Sequence, residues 1–408
     1  MRYLVSTVCL TLLLFSCGMQ RPLQKALKKQ PLLHEVALNK DQYRLQIIYT
    51  PIEKDKKGKI YTKDYKFNID TSMYFYPAST AKLLVSAFAL EKLTQETQGE
   101  LSIATPLKAF AIGPCQTDET YDSSAENFAP SIGHYIHKML LVSDNSAYNR
   151  VFDFLGQDYP QQRLKALGFD NARIIQRFDP ACNADANRYH NRFEFYNPDS
   201  SFLLSHTAVT SAVYFNPLKN VGVGNAYYIG DSLAKSPKQF RFNNNLPLET
   251  LHQSLMRIIF PTLFPENLQF QLQQKDYGFL KRLLGQYPSE SEYPKYDSSY
   301  FQAYKKYLYY GKEKNAVINH SLRIYNIVGQ AYGFTTDVAY FEDSANAVSF
   351  FLSATIYTNA DETLNDDKYE YETIAFPFMK TLGQEIYTQE LKRKHRSKHF
   401  HSTTANVD

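Results

Sequence analysis

Strands at both ends of the chain, with helices between them, predict an α+β fold. It has three layers, α/β/α, with N- and C-terminal strands joined in one antiparallel sheet and a largely helical middle. Three observations predict it. The run Tyr43–Thr50 mixes alternating and β-branched side chains, as a strand does. Near the other end, Arg323–Gly329 and Val338–Phe341 alternate across a turn at Gly333, and Val348–Tyr357 is an apolar strand. Helical spacing marks the middle: the apolar run from Ala81 to Leu90, a pair of helices meeting near Ser143, then Leu248–Ile259 and Phe270–Leu284.

In chain order, Lys54–Lys59 with Gly58 reads as a hairpin turn, and Ile60–Ile69 as the returning strand. Residues 94–130 read as loop, punctuated by Pro106, Gly113, Pro114 and Pro130, and residues 183–200 as an irregular polar segment. The tyrosine-rich stretch Tyr296–Tyr310 suits packing rather than an aromatic binding ribbon. A last helix is expected from Tyr371 to Leu391.

With 408 residues, 44% hydrophobic and 21% charged, the chain can bury a substantial core. A net charge of +4 is small for this length and gives no argument for nucleic acid as a partner, and none is expected. Arg2 and the apolar run Tyr3–Phe15 have the form of a signal-peptide core, too short for a stable membrane span. Leu14-Phe15-Ser16-Cys17 resembles the lipobox of bacterial lipoproteins. It implies a signal peptide over 1–16, lipid on Cys17 and a chain anchored to the cell envelope outside the cytoplasm. A plain secretory signal with an incidental cysteine is the alternative. Residues 17–35 read as a polar, basic tether, 36–391 as the folded domain with an expanded segment over 201–320, and 392–408 as a basic disordered tail. Cys115 and Cys182 remain to pair or stay free. No Cys/His cluster has metal-ligand spacing.

Three motifs carry chemistry. In the first, Ser79 and Lys82 stand three apart at the head of the apolar helix, so both lie on one face. A serine needs a nearby base to become a nucleophile, and a helix start offers unpaired N–H groups where an oxyanion forms. The second is Ser143-Asp144-Asn145, at the turn between two helices, the later of which stops at Gly156. The third is the loop Arg177-Phe178-Asp179-Pro180-Ala181-Cys182-Asn183.

In this order the motifs resemble the active-site frame of class A β-lactamases and the related penicillin-recognising serine enzymes. The loop is similar to the family's Ω-loop pattern Arg-Trp-Glu-Pro-x-x-Asn, and Val328–Asp337 to the strand-turn-strand that closes its site. The resemblance implies Ser79 as nucleophile, Lys82 in its deprotonation, Ser143 as proton relay and Asn145 as the group that steadies Lys82 and meets the substrate amide. It further implies Asp179 as activator of the deacylating water, with Asn183 beside it, and Ser79 and Gln330 N–H groups as the oxyanion hole, with Gly329 permitting close approach. No metal or cofactor is implied. The substrate expected is a β-lactam, with a peptidoglycan stem peptide as the alternative for a DD-peptidase-like enzyme. A catalytically decayed binding lipoprotein is a third possibility.

Two departures stand out. Where the family carries Lys-Thr-Gly or Lys-Ser-Gly, this chain has Ile327-Val328-Gly329, without cation or hydroxyl. Arg323 shares the face of Ile327 but lies about 13 Å along the strand. The Ω-loop acid is an aspartate, one methylene short; a slipped alignment makes Asp185 and Asn187 the pair instead.

Overall fold

The computed structural model describes residues 21–96 and 99–404. The expected signal peptide and the expected lipidation site Cys17 lie outside them. A six-stranded antiparallel sheet runs in the order Leu322–Ala331, Phe334–Asp343, Val348–Tyr357, Gln46–Lys54, with Ile60–Thr62 and Tyr65–Phe67 both pairing Gln46–Lys54. The ends of the chain meet where Ile47 pairs with Ala354. Strand alternation builds a core on each face. Ile48, Ile327, Val338 and Phe351 point into one, Ile47, Val328, Ala339 and Leu352 into the other. Helices Ala81–Glu96, Ile132–Val142, Asn145–Leu155 and Leu248–Ile259 cover the first face. Helices Arg21–Leu27, Pro31–Leu38 and Phe376–Thr404 cover the second. The expected three layers are therefore present.

The sheet positions the site through its edge. Leu322–Ala331, the closing strand, is the edge strand. It turns into its neighbour through Tyr332 and Gly333 at φ 52° and 81°, the left-handed pair that a tight hairpin requires.

Several expectations need correction. Residues 21–35 are not a tether: Leu23, Ala26, Leu27, Leu33 and Val36 are buried against the sheet, and Lys29 donates to Glu385 at 2.8 Å. The basic composition concealed an apolar face at helical spacing. The C-terminal helix runs on to Thr404 rather than dissolving at 392, because Arg393 and Lys394 pair with Glu53. Within the segment 94–130, expected as loop, Leu107–Phe110 pairs with Arg192–Tyr196, which pairs with Phe202–His206. Phe193 and Phe195 alternate inward there. The expanded segment is less helical than expected. Its long helices are Leu248–Ile259 and Gln274–Gly285, and short strands occupy much of 202–239.

Candidate active site

Ser79 lies in a single 3-10 turn, Ala78–Thr80, that leads into helix Ala81–Glu96. The turn is tied off by Thr80, whose Oγ1 donates to Pro77 O at 2.6 Å. Ala78 is held at φ 44°, a left-handed conformation that a side chain adopts only under constraint. One turn on, Lys82 is fully buried. Its Nζ lies 2.9 Å from Ser79 Oγ, 2.6 Å from Ser143 O, 3.0 Å from Ser143 Oγ and 2.7 Å from Asn145 Oδ1.

Ser143 reaches Lys82 because it ends helix Ile132–Val142 in the left-handed region at φ 65°. Asp144 begins the next helix as its N-cap, accepting from Ala147 N at 2.8 Å. This capping leaves Ser143 and Asn145 on either side to face the amine.

Burial is the main force on Lys82 and pushes its pKa well below the ordinary lysine range; Asp144 pulls it up, and the positive charge of Lys305 pushes it further down. A neutral amine has two N–H donors and one lone pair. Ser143 O and Asn145 Oδ1 only accept, so they occupy both donors. The lone pair is then left for a hydroxyl, and a neutral Lys82 can accept the proton of Ser79 or Ser143.

The closing strand approaches the same turn. A Cβ on Gly329 would stand 2.4 Å from Pro77 O and 3.2 Å from Ser79 N. Only glycine allows this approach, and Gln330 follows it, paired with Thr335 across the hairpin. Ile327 is buried in the core.

The Ω-like loop is brought near, but not in the expected way. Buried Arg177 anchors it through Asp153, Ala186 O and Tyr189 O. Phe178, rather than Asp179, covers Lys82: the amine lies 5.2 Å from its ring centre, and the ring stacks on Tyr148 at 4.1 Å. Asp179 accepts from its own Ala181 N at 2.9 Å, and Asn183 accepts from Ala186 N at 2.8 Å. Neither is hydrogen-bonded to Ser79, Lys82, Ser143 or Asn145. The slipped pair fares no better. Asp185 pairs with Arg188 at 2.9 Å on the surface, and Asn187 braces Arg177 N at 2.8 Å. Cys115 and Cys182 are free thiols side by side; burial first, and the contact with Cys115 next, push the Cys182 thiol up.

Two contributors escaped the sequence reading. Phe178 stood between two residues that drew attention as charges. Lys305, whose Nζ donates to Leu140 O in the helix that ends at Ser143, comes from the expanded segment. Nothing in its spacing connects it to the three motifs. A cavity of about 580 Å³ lined by Ile103, Phe128, His134, His137, Tyr196 and Tyr293 holds none of Ser79, Lys82, Ser143 and Asn145.

Residues 41–205 match the model described as the Beta-lactamase enzyme family. No curated protein matches the chain. Among solved structures, a β-lactamase from Desulfarculus baarsii is 14% identical, with 86% of this chain and 94% of that one covered at a TM-score of 0.44. One from Burkholderia phymatum is 14% identical over 86% and 96%, at 0.46. L2 complexed with relebactam is 13% identical over 90% and 98%, at 0.46. The matched span carries both the Ser79 turn and the Ser143 turn, so over those residues the chain is similar to the Beta-lactamase enzyme family.

Proposed function

We propose that the chain is an acyl-serine hydrolase of the class A type that opens the β-lactam ring of antibiotics through an acyl-enzyme on Ser79. The observation that carries this reading is the buried Lys82 amine, held at 2.9 Å from Ser79 Oγ with both its N–H groups engaged elsewhere. Neutral Lys82 takes the Ser79 proton as Oγ attacks the ring carbonyl. Collapse of the tetrahedral intermediate breaks the C–N bond, and Ser143 passes a proton to the leaving nitrogen. Ser79 and Gln330 N–H groups receive the oxyanion. Asn145 orients Lys82 and meets the substrate amide. Asp179 is the residue that the resemblance assigns to the deacylating water.

A second reading is favoured by one observation. Asp179 is engaged with Ala181 N, which suits slow release and a DD-peptidase-like action on peptidoglycan stem peptides. Purified protein with a fluorescent penicillin and a chromogenic cephalosporin separates the two. Turnover that falls in Asp179→Asn, with adduct accumulating, supports the β-lactamase. A stable adduct on the wild type without turnover supports the peptidase. No adduct and no turnover on wild type or Asp179→Asn would overturn both, leaving a decayed binding protein. Ser79→Ala is expected to abolish every adduct.

The same proposal places the chain in the bacterial cell envelope, anchored by lipid on Cys17. Cys17→Ser is then expected to move the protein from the membrane fraction to the soluble one, and unchanged fractionation would count against the anchor.

A further inference from the structure

We propose that Lys305 is a positioning residue of this site, capping the helix that carries Ser143 and supplying beside Lys82 the positive charge that Ile327 and Val328 do not. The inference rests on reading Ser79 as the nucleophile and deepens it.

The geometry starts at the helix end. The last carbonyls of a helix lack partners within it. In Ile132–Val142, Asp144 N takes Lys138 O at 3.3 Å, Ser143 N takes Met139 O at 3.1 Å, and Lys305 Nζ takes Leu140 O. A cation is favoured at this negative end of the helix dipole. Ser143 follows directly, in its left-handed conformation, with its own carbonyl on Lys82. The two lysines therefore hold two carbonyls, Leu140 O and Ser143 O, at the same helix end.

Lys305 is itself held rigidly. Its carbonyl accepts from Asn326 Nδ2 at 2.6 Å, and Asn326 Nδ2 also reaches Asp337 Oδ1 at 2.9 Å. Lys306 Nζ donates to Leu284 O, Ile324 O and Asn326 Oδ1 at 3.0, 2.7 and 2.7 Å. The segment thus lies along the open edge of the closing strand, beside Ile324 and Asn326.

The cluster is rich in buried amines. Lys82, Lys305, Lys306 and Asp337 are all buried, and the Asp337 carboxylate acts on Lys305 and Lys306. Asp144 acts on Lys82, and Arg323 and Glu290 act on Lys306 from further out. Burying amines with so little compensation is costly. Burial pushes Lys305 down to about 7, against the pull of Asp337. Below that pH its charge opposes protonation of Lys82 and so preserves the base. A purely structural cap would not require a second amine within electrostatic reach of the first.

The test compares Lys305→Met and Lys305→Arg, both checked for wild-type circular dichroism. For Lys305→Met, acylation by a fluorescent penicillin at neutral pH should fall at least tenfold. The acid limb of its pH profile should move to higher pH. Lys305→Arg keeps the charge and should recover most of the rate with the limb unmoved. Lysine ¹³Cε NMR titration of Lys82 gives a readout independent of activity, and Lys305→Met should raise its midpoint. An unchanged rate and profile in folded Lys305→Met would overturn the proposal, as would equal losses in both variants with no shift of the limb. If the wild type takes no penicillin, the nucleophile reading fails by itself; the NMR arm still decides, and an unmoved Lys82 midpoint overturns the role of Lys305.

Discussion

Lys82 joins two demands that conflict in water, being an amine and being uncharged. Burial disfavours the charge, and two carbonyl-type acceptors hold the nitrogen beside a hydroxyl. An arginine in its place stays protonated at any accessible pH. Lys82→Arg is therefore expected to reduce penicillin acylation by about 10²–10⁴-fold, the usual scale of general-base loss, measured by gel fluorescence against time. The same depressed value has a cost in stability. The unfolded chain binds the proton more readily than the folded one, so Lys82 destabilises progressively as pH falls from its ordinary 10.5 toward the folded value. Replacing it by methionine is expected to flatten the pH dependence of the urea midpoint as pH falls below 10.5. An unaltered slope would mean that Lys82 keeps its proton when folded. Ser79 and Ser143 both stand beside left-handed residues or adopt that conformation themselves, which locates backbone strain at the site.

At the scale of elements, the site is a contact between an edge strand and a turn. Gly329→Ala forces a Cβ to 2.4 Å from Pro77 O, and a backbone carbonyl cannot swing away as a side chain can. Overpacking of this kind costs about 1–3 kcal/mol. We expect that loss in urea denaturation, together with a fall in acylation rate larger than stability alone explains, since the Ser79 turn is what moves. Normal acylation in Gly329→Ala would show that the strand does not form the oxyanion hole. The Ω-like loop depends on a different interaction. Arg177 and Asp153 are both buried, so Arg177→Met leaves the Asp153 carboxylate to the longer contacts of Gln116 Nε2 at 3.4 Å and His190 Nδ1 at 3.7 Å, a loss expected to cost about 3–5 kcal/mol. The ring of Phe178 should then leave Lys82, seen as a raised Lys82 midpoint by NMR. A midpoint that stays put would separate loop anchoring from the electrostatics of the amine.

Over the whole molecule, the sheet needs both of its helical layers. Leu23, Leu27, Leu33 and Val36 on the first two helices are buried under the face opposite the site. Each is worth about 1.5–3 kcal/mol when buried, against a total stability of about 5–15 kcal/mol for a typical protein. A chain starting at residue 40 is expected to unfold at much lower urea or to fail to fold. A wild-type midpoint would show that these helices cover the sheet without supporting it. The C-terminal helix lies on the same side, its Glu390 bonded to Tyr49 of the central strand.

Short-range periodicity and capping chemistry made part of the fold and site legible before any packing was known. Ser79 and Lys82 share a face because a helix repeats every 3.6 residues, and Ser143-Asp144-Asn145 makes a turn because of its capping chemistry. The strands at the two ends were legible for the same reason. The helices over 21–38 were missed because a charged composition masked a five-residue apolar face, and the strands near 107 and 192 because they are short and depend on each other. Tertiary structure alone decided which groups meet Lys82. Phe178 covers it, Asp179 turns back on its own loop, and Lys305 arrives from more than 160 residues beyond Leu140. Contacts of that separation depend on how whole layers pack, and no local pattern of residues records them.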